Sequence, residues 1–169
     1  MTGVSYPQRT ITSEKKYGQK VDVEVPTYVM GNMRFANGAI GSLFTTFDVN
    51  LAEYHKMEIY GTEGTIYVPD PNGFGGEIKL LRSRTWETVS MPLLYHYTEN
   101  CRGLGLADMA KAIRTGRNHR ANSMQQLHVV EVMSAFYTSG RTGRRVEIES
   151  RYEREKIMPR GEMVGVLDD

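Results

Sequence analysis

Lys56-Met57-Glu58-Ile59-Tyr60-Gly61-Thr62-Glu63-Gly64-Thr65-Ile66-Tyr67-Val68 is the stretch on which the fold class turns. Apolar and aromatic residues run up to a four-residue turn, Gly61 to Gly64, and resume after it. The run therefore predicts a hairpin, with strands over Lys56 to Tyr60 and Thr65 to Val68. Pro69-Asp70-Pro71-Asn72-Gly73 closes the second strand and opens a loop reaching Gly76. Beyond it, Glu77 to Arg82 and Trp86 to Met91 read as a further strand pair. Upstream, Val21, Val23 and Val25 alternate with Asp22 and Glu24 until Pro26 interrupts the ladder. Val29, Gly31, Met33 and Phe35 then alternate with Tyr28, Met30, Asn32 and Arg34. Asn37-Gly38 follows, a strong hairpin signal because both residues tolerate positive φ, and the return strand runs from Ala39 to Phe47. About six strands in meander order favour antiparallel pairing over parallel crossovers.

Helical periodicity enters only after the strands. Leu106, Met109, Ala110 and Ile113 form one stripe, with Arg114 in the last turn and Gly116 as the stop. A second helix is expected from Ser123, where Gln126 three residues on completes a capping-box pattern. Its stripe is Val129, Val132, Met133 and Phe136, and Gly140 is its expected end. Arg145 to Glu149 alternates again, as a last strand would. Tyr6 to Lys20 reads as a surface loop or extended lead-in. The fold class is α+β: an open, largely antiparallel sheet of about six strands with helices on one face. Residues 1–150 are expected to form one domain and residues 151–169 a polar tail.

Composition narrows the function. The 169 residues carry 21 Lys+Arg against 20 Asp+Glu, a net charge of +1, without the basic excess of a nucleic-acid binder. A single cysteine, Cys101, rules out an internal disulfide and favours a reducing, cytoplasmic setting. No apolar run reaches the roughly 20 residues that span a bilayer, and Met1 to Ser5 shows no signal-peptide pattern.

The search for chemistry leaves one informative segment. Gly73-Phe74-Gly75-Gly76 and Gly103-Leu104-Gly105-Leu106-Ala107-Asp108 lack the third glycine of a dinucleotide loop. They read better as a β-loop and a helix start. His55, His96, His119 and His128 have no His or Cys at ligand spacing, which disfavours a structural zinc. His128 and Glu131 sit one helical turn apart, the spacing of a helix-face contact. Cys101 reads as a semi-buried thiol. Arg141, Arg144, Arg145, Arg151 and Arg154 are interleaved with Glu147, Glu149, Glu153 and Glu155, a self-neutralising surface. Asp48-Val49-Asn50-Leu51-Ala52-Glu53-Tyr54-His55, by contrast, joins two hairpins. It gathers carboxylate, amide, phenol and imidazole, a mixture suited to ligands whose hydroxyls both donate and accept. An ordinary polar loop would have the same composition.

Four stretches together resemble the C-terminal domain of the Gfo/Idh/MocA oxidoreductases, the relatives of glucose-fructose oxidoreductase and inositol dehydrogenase. They are Met57 to Pro71, Glu99 to Ala110, Gly116 to Ala121, and His128 to Met133. The resemblance runs from about Val25 to Glu149 in strand and helix order. It implies a sheet like that of the C-terminal domain of glyceraldehyde-3-phosphate dehydrogenase, with roles in substrate binding and oligomerisation. It further implies a parent enzyme whose N-terminal Rossmann domain, absent from this chain, binds NAD or NADP and exchanges hydride with a sugar-like carbinol or carbonyl. The family's Glu-Lys-Pro motif and Asp-x-x-x-His helix have no counterpart here, so no catalytic residue carries over. The strand end that reaches substrate in relatives corresponds to Asp48, Asn50, Tyr54 and His55.

Three functions follow as expectations. The first is the substrate-side and oligomerisation domain of an NAD(P)-dependent oxidoreductase, holding no cofactor itself, inactive alone, and paired as a homodimer or larger homo-oligomer through its open sheet face. The second is a stand-alone sugar-binding or oligomerisation module without redox activity. The third, a small complete enzyme using Asp48 and His55 as an acid–base pair, lacks an electrophile. No metal, nucleic-acid or membrane partner is expected.

Overall fold

The structure, a computed structural model, describes residues 1–49 and 57–160. It is α+β, as expected, with antiparallel ladders and two helices among these residues. The chain divides into two compact units. The first comprises Met1–Ala52 and Ser123–Tyr152, the second Glu53–Asn122 and Glu153–Asp169.

In the first unit, β1 (Thr2–Gly3), β4 (Tyr28–Arg34) and β5 (Ile40–Thr46) form a three-stranded sheet in the order β1-β4-β5. The β4–β5 register pairs Tyr28 with Thr46 and Arg34 with Ile40. Asn37-Gly38 makes the turn as the sequence predicts: Gly38 has φ +91° and the Asn37 side chain accepts the Ala39 N–H. The lead-in read as a loop contains a small ladder of its own, β2 (Gln8–Thr10) against β3 (Lys20–Asp22), around a 3-10 turn at Glu14–Lys16. Helix α2 (Ser123–Thr142) packs on β1 and β4. Phe136 lies against Gly31, one ring carbon only 2.8 Å from where a Cβ would stand, so the close approach requires glycine.

Two expectations about this unit change. Helix α2 runs through Gly140 and stops before Gly143, which has φ +66°. Gly140 serves packing instead: a Cβ there would fall 2.6 Å from the Thr2 hydroxyl oxygen. Arg145 to Glu149 is not in a ladder. The N–H groups of Glu149 and Ser150 donate to the Glu131 carboxylate at 2.7 and 2.9 Å, and Ser150 also meets His128 Nδ1, its hydroxyl oxygen at 2.9 Å. A helix side chain thus takes the role a neighbouring strand would fill.

In the second unit, β6 (Met57–Tyr60), β7 (Gly64–Val68), β8 (Ile78–Arg82) and β9 (Thr88–Met91) form a meander in that order. The register stacks Met57 and Val68, Ile59 and Ile66, Ile66 and Leu80, Leu80 and Val89, and Ile78 and Met91 on one face. Glu58, Tyr67, Lys79 and Ser90 share the other. The β8–β9 turn takes Trp86 out of its expected strand and holds it at φ +55°.

Helix α1 (Leu104–Thr115) ends at Gly116, φ +73°, as predicted. Its orientation is not as predicted. Asp108 and Ala112 are buried, whereas Leu106 and Ile113 are 71% and 77% exposed. The face that turns inward is chosen by a carboxylate with two cationic partners rather than by the apolar stripe.

Candidate functional site

Asp48 stands just past β5, at the start of the segment singled out from the sequence. Its environment is built by the lead-in. Thr27, buried beside the first residue of β4, donates its hydroxyl to Asp48 Oδ2 at 2.5 Å and accepts the Ser5 N–H at 3.2 Å. Arg9 of β2 pairs with Asp48 Oδ1 and reaches the Phe47 carbonyl with both terminal nitrogens. Thr46 accepts the Asp48 N–H at 2.9 Å. Strands β2 and β5 are thereby tied together at the end of β5. The Thr27 hydroxyl first, then Ser5, hold the Asp48 carboxyl below its ordinary pKa; burial opposes them, and the Arg9 guanidinium adds to the lowering. Asp48 is therefore an ionised, doubly engaged acceptor at neutral pH, and a weak base.

Asn50, Tyr54 and His55 lie outside the described residues. Arg9 and Thr27 were not legible as neighbours of Asp48, because Arg9 is 39 positions away in a stretch that reads as loop.

A second polar centre escaped the sequence reading altogether. Asp108 accepts from Arg117 at 2.7 Å, from the Arg120 guanidinium, and from the Arg120 N–H at 2.8 Å. Burial pushes the Asp108 carboxyl up. The Arg120 N–H and the two guanidinium groups more than reverse this, and the net direction is down. Arg120 also donates to the Lys156 carbonyl at 2.9 Å, and Asn122 to Glu155 at 3.3 Å. This cluster holds the turn after α1 and the segment around Lys156. It is an organiser of the chain, and both guanidinium groups are already committed.

On the apolar face of the second unit, Ile66, Ile78, Leu80 and Met91 line a cavity of about 420 Å³ together with Phe74 and residues 92–95 and 97. The Tyr95 hydroxyl donates away from it, to the Met158 carbonyl at 3.2 Å. The two glycine-rich stretches take the structural roles foreseen: Gly73 to Gly76 lies in the β7–β8 connection and Gly103 precedes α1. Among the described residues no three His, Cys, Asp or Glu side chains converge as a metal site, and no helix is long and apolar enough to cross a membrane.

The Asp48 cluster lies in the N-terminal part of the chain, where the family comparison also falls. Residues 3–67 match the family model of the GFO/IDH/MocA C-terminal domain. The resemblance read from the sequence is borne out. The match covers under half of the chain and takes in Arg9, Thr27, Asp48 and the hairpin at Gly61 to Gly64. No curated protein and no solved structure matches the chain.

Proposed function

We propose that this chain is the substrate-side and oligomerisation domain of an NAD(P)-dependent oxidoreductase acting on a sugar or polyol-like molecule. The observation that carries the reading is the match over residues 3–67 to a domain of an oxidoreductase family. It coincides with the one polar strand-end loop that the sequence singles out. In this reading Asn50, Tyr54 and His55 face the substrate hydroxyls. Asp48, held by Arg9 and Thr27, fixes the start of the loop. The nicotinamide-binding half is supplied by a segment or polypeptide other than these 169 residues, which alone bind no nicotinamide tightly.

Association with a second copy belongs to the same proposal. Ile59, Ile66, Met57 and Met91 are among the exposed apolar side chains, all on one sheet face, and a two-fold pair of such faces is the simplest cover.

Steady-state kinetics of the enzyme that carries this domain tests the substrate reading. His55→Ala is expected to lower kcat/KM for the sugar about tenfold, the equivalent of roughly 1.4 kcal/mol, while cofactor KM and melting temperature stay unchanged. Unchanged kcat/KM with a lower melting temperature would place His55 in loop anchoring and remove the substrate wall from this segment.

A further inference from the structure

The C-terminal half of α2 carries Ser134, Tyr137, Thr138 and Arg141 at i, i+3, i+4 and i+7, one continuous face of the helix. With Thr2 and Pro26 these residues line a groove of about 380 Å³, within the size range of small-molecule sites. The groove depends on Gly140, since only a residue without Cβ lets Thr2 lie against the helix there.

The groups facing this groove are mainly unspent donors. Arg141 makes no hydrogen bond or ion pair with any described residue, whereas Arg145 pairs with Glu147 at 2.6 Å and Arg9 with Asp48. Helical serines and threonines commonly return their hydroxyl to the carbonyl four residues back. Thr115 and Thr142 do so, at 2.9 and 2.8 Å, and Ser134 does not. The Tyr137 phenol likewise has no partner among the described residues. No carboxylate lines the groove.

We propose that this groove binds a small-molecule oxyanion, a carboxylate or phosphate group, with Arg141 as its charged clamp and the Ser134 and Tyr137 hydroxyls as supporting donors. An ionised oxyanion offers only acceptors, the complement of a guanidinium, a phenol and hydroxyls, and planar guanidinium takes it in two parallel bonds. The helix C-terminus carries roughly half a negative charge, which opposes an anion. Here the Thr138 carbonyl is taken by the Thr142 hydroxyl and the Ser139 carbonyl by the Gly143 N–H at 2.8 Å, and the full charge of Arg141 outweighs what remains. The site shares no residue with the segment Asp48 to His55 and does not rest on the substrate reading given to it.

Amide-resolved NMR titration of the chain with inorganic phosphate and, separately, with gluconate tests this at constant ionic strength. Saturable shifts at Thr2 and Thr138 to Arg141 are expected with at least one probe. Preference for phosphate assigns a phosphoryl group, and preference for gluconate a sugar acid. Arg141→Ala should weaken binding at least about tenfold, and Arg141→Lys should not restore it, because an ammonium lacks the planar fork. Gly140→Ala should weaken it too by displacing Thr2. Arg141 is exposed, so its variants test binding even if Gly140→Ala fails to fold. Affinity unchanged in Arg141→Ala, shifts confined to other residues, or no saturation with either probe in the millimolar range would overturn the proposal.

Discussion

The two larger sheets solve the same problem differently. In the first unit, the β4–β5 face that carries Gly31 is met by a helix, and glycine is what lets the helix come close: Phe136 seats over it. Val29 on that face is 9% exposed. In the second unit, the cross-strand pairs on one face are apolar from Met57 and Val68 to Ile78 and Met91, with Arg82 opposite Gly64 at its edge, a richer hydrophobic surface by composition. Yet Ile59 is 52% exposed and Ile66 36%, and the face borders an open cavity. Hydrophobicity supplies the drive for burial, but a partner of matching shape is needed to realise it. The first sheet has such a partner in α2, whereas the second leaves much of its apolar face exposed.

The sharpest way to break this contrast is to put a charge on the open face. Ile66→Lys is expected to turn the associated form into monomer in light scattering, because an unpaired ammonium at the centre of an apolar interface is not tolerated. The same substitution leaving the mass unchanged would show that association, if present, uses another surface. The next effect in size concerns what holds the second unit, where Ala112 is the one buried apolar side chain among the described residues. Asp108→Ala leaves two guanidinium groups without their carboxylate and should cost about 3 kcal/mol in denaturant unfolding, toward the lower end for buried pairs because the arginines are partly exposed. Since the folded Asp108 pKa lies below its ordinary value, its contribution is in place above roughly pH 4 and is lost as pH falls through the lower folded value. The variant should therefore show a flatter loss of stability in acid than the parent chain. Smallest is the effect in the closely packed sheet: Gly31→Ala should cost about 1–2 kcal/mol by overpacking against Phe136, and Phe136→Leu should relieve part of it. Simple additivity of the two changes would mean that glycine is not chosen there for the helix.

Much of this was legible in the chain because local rules governed it. Asn37-Gly38 and Gly116 are punctuation whose left-handed backbone few other residues meet, Gly64 leaves room for the Leu81 carbonyl, and all three end their elements where expected. The strand pair expected over Glu77 to Arg82 and Trp86 to Met91 is present as β8 and β9, while its register comes from the structure. What was not legible required knowledge of distant partners. Asp108 lies on the opposite side of α1 from the apolar stripe, and nothing local says that Arg117 and Arg120 will turn it inward. Gly140 looks like a helix stop because its packing partner, Thr2, lies at the other end of the sequence. Asp48 was visible as a polar strand end. Its engagement by Arg9 and Thr27 is long-range, and no local rule points to it.

The grip of α2 on the segment after Gly143 has a consequence for colloidal behaviour. Arg145-Val146-Glu147-Ile148-Glu149 has the alternation of an edge strand, the kind of segment that recruits strands from other molecules. Glu131 occupies the N–H groups of Glu149 and Ser150, and His128 holds Ser150 from the same helix face, with Tyr152 5.4 Å from its ring. Two donors that could begin a ladder with a stranger are already spent inside the molecule. The pair His128 and Glu131, unremarkable as a one-turn spacing, thus acts as a guard on the most strand-like unpaired stretch among the described residues.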